Sequence, residues 1–403
     1  MLKNLLVLGA GIESVEGYLA IKKFKCNIIA VDKNRNAPGV EYADMYINAS
    51  IHNHFPILKK IKKKKLKIDG IISFGDVAHV TTKLCKILKI NSIPLNSAII
   101  TSNKFLFKKK IQNHFNIPKF KKISKANELK ALIKKNKTKF IIKPVDNSGA
   151  RGVILIDKNT NLNWVLNYCK KYSKKKYLIA EEFIKGPQLS TEGIVYNRKY
   201  FHLCSFDRNY ELINKYKPFI IENGGSTPSP IAKKYNNQIV KTISKMVKYL
   251  NLKNATIKGD LIISKNKIFV IEFALRLSGG WLSSVTIPYS TGINIIDHAV
   301  KNSLNLNIEQ KNLYPKFHKH VVQRYLFPEI GRIKSVRLKE KSLIKNKDIL
   351  AFKLFAKKNK VIEKIDSHAS RIGHVIVKSS SKKKGIIFAK RILNNVEIKY
   401  YKN

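Results

Sequence analysis

Phe140-Ile141-Ile142-Lys143-Pro144-Val145-Asp146-Asn147-Ser148-Gly149-Ala150-Arg151-Gly152-Val153 is the stretch from which the rest of the chain is best read. Its apolar, β-branched start predicts a strand over Phe140–Pro144. The small residues Ser148 to Gly152 then predict a tight loop before a return strand over Gly152–Ile156. Such a loop lets backbone N–H groups approach phosphate oxygens, while Lys143 and Arg151 supply positive charge beside them. The order GxxxxGK[ST] is absent, which excludes a P-loop nucleotidase. Taken alone, the segment is equally well explained as a simple tight hairpin.

Further along, Tyr177 to Glu182 reads as a strand broken by Gly186-Pro187, with Ala180 to Gln188 as an edge whose backbone is open to pairing. Thr191–Val195 with Lys199–Ser205, and Ala255–Ile263 with Lys267–Phe273, read as two hairpins. The second hairpin carries Asp260 and Glu272 among apolar residues, in a chain with only 26 acids. Facing carboxylates repel unless a cation lies between them, and Mg²⁺ takes one or two carboxylates plus phosphate oxygens. The alternatives are solvated acids at strand ends, or an ion pair between Glu272 and Arg276. The turn-rich segment Pro218–Pro230 reads as one long loop. Strands resume near His320 and run to the end around one helix, about Lys384–Asn394.

The N-terminal residues alternate strand and helix, with a parallel-type strand at Leu5–Leu8, a turn at Gly9-Ala10-Gly11, a helix to about Lys23, and strands at Asn27–Val31 and Gly70–Phe74. Gly9, Gly11 and Asp32 imitate a dinucleotide fingerprint, but position 14 is Ser14 where the third glycine belongs. Length, 403 residues with 44% hydrophobic content, predicts two or three folded domains. The net charge of +53 comes from 69 lysines and only 10 arginines, scattered rather than interleaved with aromatics, so no specific nucleic-acid site is expected. Cys26, Cys85, Cys169 and Cys204 stand far apart without a CxxC pair, as in a reduced cytoplasmic protein. No apolar run approaches the roughly 20 residues of a membrane helix.

Taken together and in this order, Lys104, FIIKP, SGARGV, EEFIKGP, GDLII and IEFALRLSGG resemble the ATP-grasp superfamily. The resemblance is most specific over Lys104–Gly280. It implies an α/β (α+β ATP-grasp) fold: a doubly wound parallel βα domain over 1–103, a two-lobed ATP-grasp domain over 104–305 with its lid lobe at about 104–185, and a small α+β domain over 306–403 like that of biotin carboxylase. It implies ATP and Mg as cofactors. Lys104 and Lys143 would contact phosphates, and the loop Ser148, Gly149, Ala150 and Arg151 would close over them. Glu181 would contact adenine, Glu182 and Ile184 would offer backbone, and Gln188 would take the place of the usual ribose acid. Asp260 and Glu272 would hold the metal, and Arg276 would stabilise the phosphoryl group. Ala274 stands where relatives often have a metal-binding Asn.

The resemblance also implies acyl-phosphate chemistry, in which a carboxylate attacks ATP and an amine then captures it. The loop Pro218–Ser229, with Glu222 as a candidate amine contact, and Arg276–Trp281 resemble segments of L-amino-acid ligases. Arg324 is a candidate contact for an anionic substrate or, alternatively, a member of a core-edge salt bridge. The expectation is a cytoplasmic carboxylate–amine ligase acting on small molecules, with homodimerisation suggested by relatives. Its rivals are a bicarbonate-using carboxylase and a degenerate ATP-binding non-enzyme.

Overall fold

The computed structural model describes residues 2–136 and 138–401. Strands β1 (Lys3–Leu8), β2 (Cys26–Asp32), β3 (Met45–Asn48) and β4 (Gly70–Ser73) form a parallel sheet in the order β3-β2-β1-β4. Helices α1 (Val15–Ile21), α2 (His54–Lys63) and α3 (Ala78–Ile87) connect and follow them. Leu5 to Leu8 are all fully buried, because helices cover both faces of this sheet. Leu6 and Leu8 pack in one cluster with Ile57 and Ile61 of α2 and Leu84 of α3, whereas Leu5 and Val7 belong to the opposite core. The order reverses between β1 and β4, so their carboxyl ends open onto a crevice. Asp32, the acid of the incomplete fingerprint, accepts the N–H groups of Ala10 at 3.0 Å and Asn34 at 2.9 Å. Its carboxylate ties the turn after β1 to the end of β2.

Helices α4 (Leu95–Thr101) and α5 (Lys104–Ile111) lead to a second, antiparallel sheet. The Asn103 side chain caps α5 by accepting from the Phe105 and Leu106 N–H groups, which fixes where Lys104 begins the helix. The sheet comprises β5 (Phe120–Ile123), β6 (Phe140–Pro144), β7 (Ile154–Ile156) and β8 (Leu178–Glu182) in the order β5-β8-β6-β7, backed by α6 (Ala126–Lys135) and α7 (Leu162–Lys170). The edge strand expected at Ala180 is thus an inner strand. β8 pairs with β5 on one side and β6 on the other, because the short β5 returns to cover it.

The third sheet has eight strands. The two expected hairpins are β9 (Gln188–Tyr196) with β10 (Lys199–Arg208), and β12 (Ala255–Ser264) with β13 (Lys267–Ala274). The segment expected as one long loop contains β11 (Gly225–Thr227), which pairs with Asp207-Arg208 on one side and Val321–Gln323 on the other. Three turn-type residues carry no local strand signal, and only their two neighbours make them a strand. Helices α8 (Pro230–Lys234) and α9 (Asn236–Tyr249) follow, and Ile239, Ile243 and Met246 of α9 cover Ile257, Leu261 and Phe273. Burial of each such side chain stabilises by about 1.5–3 kcal/mol. After α10 (Ile287–Thr291) and α11 (Ile295–Ser303) come β14 (His320–Leu326), β15 (Gly331–Leu338), β16 (Ile349–Leu354), β17 (Val361–Ile362), β18 (Gly373–Ser379), α12 (Lys382–Asn394) and β19 (Val396–Tyr400). The large sheet runs β13-β12-β9-β10-β11-β14-β18-β16, while β17-β15-β19 form a small separate one. Among the described residues, no helix is long and apolar enough to cross a membrane.

Candidate active site

The loop after β6 takes the backbone form its small residues permit. Gly149 (φ +68°), Ala150 (φ +58°) and Gly152 (φ +72°) are all left-handed. Any side chain at position 152 would meet Pro144 Cγ at 2.9 Å and Tyr172 Cδ2 at 3.0 Å, so glycine there is a packing requirement. The Arg151 side chain folds over the loop, its Nε donating to Asn147 Oδ1 at 3.1 Å. Lys104 lies beneath: its backbone N–H donates to Val145 O at 2.9 Å and its Nζ to Asn147 O at 2.7 Å. The same Nζ stands 3.5 Å from Glu272 Oε1, so one lysine joins the small-residue loop to the acid hairpin.

Lys143 points to Glu181, with Nζ 2.9 Å from Oε1. The other carboxylate oxygen is 3.4 Å from Nζ of Lys108, which is fully buried and also donates to the Ile271 carbonyl at 3.0 Å. Burial alone would raise the Glu181 pKa, but Lys108 and Lys143 outweigh it and hold the acid ionised. Burial in turn pulls Lys108 down to about 8, against the attraction of Glu181. The Glu181 carboxylate is therefore committed to two lysines, and its backbone lies between two paired strands. The Glu182 N–H donates to Lys119 O at 2.8 Å. Ile184 lies just past β8, half-buried and outside the sheet, and Gln188 opens β9 opposite Ile262.

Asp260 and Glu272 face each other in register across the hairpin. The cations that permit this belong to the chain itself. Asp260 Oδ2 receives Arg208 Nη1 at 3.0 Å and Lys258 Nζ at 3.1 Å, while Oδ1 accepts from Ser190 Oγ at 2.6 Å. Burial favours the neutral acid, yet Lys258 and Arg208 hold Asp260 well below the carboxylate range. Glu272 is paired with Lys104, not with Arg276. Arg276 instead reaches the N-terminal sheet, its Nε 3.1 Å from Oδ1 of Asp76, just beyond β4. Against the effect of burial, Arg276 lowers the Asp76 carboxyl to about 2.

The donor set fits a magnesium ion through Glu272, which is partly exposed and loosely held at 3.5 Å. Asp260 fits only if it exchanges Lys258 or Arg208, since both of its oxygens have short partners. Ala274, opposite Lys258, adds a buried methyl and no ligand. Among the described residues, no group of three or more His, Cys, Asp or Glu side chains is placed to hold a metal.

Four charged residues with no local sequence signal complete the site: Lys108, Glu192, Arg208 and Lys258. Glu192 on β9 is 1% exposed and opposite Lys258, and Ser278 Oγ lies 2.6 and 2.7 Å from its two oxygens. Burial pushes its pKa up to about 7, against Lys258 and the Ser278 hydroxyl. Arg208 spans the site, its second arm 2.6 Å from Oε2 of Glu222. Arg371 approaches the other Glu222 oxygen at 3.5 Å and donates to the Glu222 backbone carbonyl at 2.8 Å. Glu222 is thus held by two guanidinium groups. Arg324 is buried next to it and donates to the Gly225 and Gln323 carbonyls at 3.1 and 2.8 Å; among the described residues it has no salt bridge and its Nε no partner.

Lys104 therefore joins the small-residue loop to the acid hairpin, and Arg208 joins that hairpin to Glu222 and Arg371; known proteins share this fold. A family model described as an ATP-grasp domain matches residues 101–280. A formate-dependent phosphoribosylglycinamide formyltransferase from Prochlorococcus marinus is 28% identical over 190 residues, which is 45% of this chain and 47% of that protein. The chain thus spans about half the length of the curated relatives it matches. Among solved structures, an L-amino acid ligase from Bacillus licheniformis aligns over 99% of both chains with a TM-score of 0.83 and 17% identity. A phosphoribosylglycinamide synthetase from Anaerococcus prevotii aligns over all of both chains with a TM-score of 0.76 and 22% identity. These two share the whole fold, parallel sheet, four-stranded sheet and long sheet together.

Proposed function

We propose, on the premise that residues 101–280 form an ATP-grasp domain, that this chain uses ATP and Mg²⁺ to activate a carboxylate as an acyl phosphate and couples it to an amine. The observation that carries the reading is Lys104, whose ammonium contacts both the small-residue loop and Glu272. A triphosphate between that loop and that acid would meet Lys104, Lys143 and Arg151 on one side and Arg276 on the other. Such fixed cations stabilise the charge that develops on a transferring phosphoryl group without moving to do so. A bound Mg²⁺ would neutralise phosphate oxygens, with Glu272 as its open carboxylate. The backbone at Glu182 to Ile184 and the side chain of Gln188 are the candidates for the adenosine end.

The acceptor end is lined by Arg208, Arg371, Lys258 and Arg324, with Glu192 and Glu222 among them. This mixture suits a substrate that carries a carboxylate and an amine. The names of the relatives, a formate-dependent transferase and an L-amino acid ligase, both involve a carboxylate. The same reading places the protein in the cytoplasm, acting on small molecules. Incubating the purified chain with ATP, Mg²⁺ and an amino-acid panel is expected to release ADP and phosphate. Release of AMP and pyrophosphate would overturn the acyl-phosphate route. ADP release driven by bicarbonate without any amine would assign the chain to carboxylation instead.

A further inference from the structure

The segment between β17 and β18 touches both the small-residue loop and the loop that carries Glu222. The backbone N–H of His368 donates to the Gly149 carbonyl at 3.0 Å, directly on the small-residue loop. Two residues earlier, Asp366 is buried against the lid. Its Oδ2 accepts the Tyr168 hydroxyl at 2.6 Å and that of Tyr172 at 3.5 Å, both from the α7 side of the lid. Lys364 lies 3.0 Å from the same oxygen and 4.7 Å from the centre of the Tyr168 ring. Three residues after His368, Arg371 holds Glu222 in the loop before β11. That loop in turn reaches the lid, where the Leu155 N–H donates to Pro218 O at 2.8 Å and Ile154 bridges to Phe219.

We infer that Asp366 is a positioning residue: through Tyr168 and the neighbouring His368 N–H it latches the lid and its small-residue loop to the C-terminal segment that also holds Glu222. The lid is carried on its own four-stranded sheet, and its position depends on the contacts that hold it. Here the tie is a desolvated carboxylate accepting from a phenol, the stronger, charge-assisted kind of hydrogen bond. Because Asp366 stands only a few residues before Arg371, which holds Glu222, closure over phosphate and order at the acceptor end share one element. The inference rests on the ATP-grasp reading only for the identity of what the loop closes over.

Asp366→Ala and the near-isosteric Tyr168→Phe test it, measured as full-length protein by amide hydrogen exchange and by ATP binding. Exchange over residues 148–156 is expected to quicken about tenfold in both variants, as for loss of one charge-assisted hydrogen bond. The Kd for ATP should rise several-fold, while Asp366→Asn, which keeps an acceptor for Tyr168, recovers most of the loss. Unchanged exchange at 148–156 in a folded Tyr168→Phe variant would overturn the latch. Failure of the wild-type protein to bind ATP would overturn the functional reading and leave the exchange result to judge the latch by itself.

Discussion

Replacing Glu192 by Gln removes a buried carboxylate while keeping its shape and an acceptor for Ser278. Burial raises this acid from an ordinary 4.5 to about 7. At about 1.36 kcal/mol per pH unit, the ionised form costs about 3 kcal/mol in the folded chain. The sign follows from proton counting. Between pH 4.5 and 7 the folded state binds more protons than the unfolded one, so stability falls as pH rises through this window. Below it the acid is neutral in both states and the cost vanishes. Urea denaturation of wild type and Glu192→Gln from pH 4.5 to 8.5 is therefore expected to give coincident stabilities at the acid end. The variant should be more stable by about 3 kcal/mol at pH 8. Parallel pH profiles for the two proteins would refute the reasoning, since they would mean that Lys258 and Arg276 fully compensate the charge.

Two further outcomes follow from the same pairings. Glu272→Ala should abolish ADP release while leaving the urea midpoint nearly unchanged, because among the described residues Glu272 has only the long contact to Lys104; retained turnover would remove Glu272 from the metal role. Glu181→Gln should destabilise by about 3–5 kcal/mol at pH 6, the usual effect of leaving buried charges without their partner. That deficit should shrink as pH rises and Lys108 sheds its proton; a variant as stable as wild type at pH 6 would show that the Val270 and Ile271 carbonyls suffice for Lys108.

The parallel sheet and both hairpins are legible in the sequence because their strands are continuous or alternating apolar runs, such as Leu5–Leu8 and Ile268–Phe273. The small-residue loop, Lys104, Lys143 and the two acids are legible because their order along the chain is distinctive. β11 is not, since Gly225-Ser226-Thr227 becomes a strand only through two neighbours about a hundred residues apart. Lys108 and Lys258 are hidden among 69 lysines, and nothing local separates a buried lysine from a solvated one. Glu192 gains its meaning only when β9 meets β12 and brings Lys258 opposite. Asp76, the partner of Arg276, lies 200 residues upstream, a distance that no spacing rule spans.

The three residues of β11 also set a schedule. Ser226 must wait for Val322, 96 residues later, before its outer edge is paired. At about 5–20 residues per second of synthesis, that wait lasts roughly 5–20 s on the ribosome. During it the nascent sheet ends in an open edge of the kind that recruits foreign strands. β14 thus covers an edge that the preceding strands leave open, and a stall in translation between β11 and β14 would prolong that exposure.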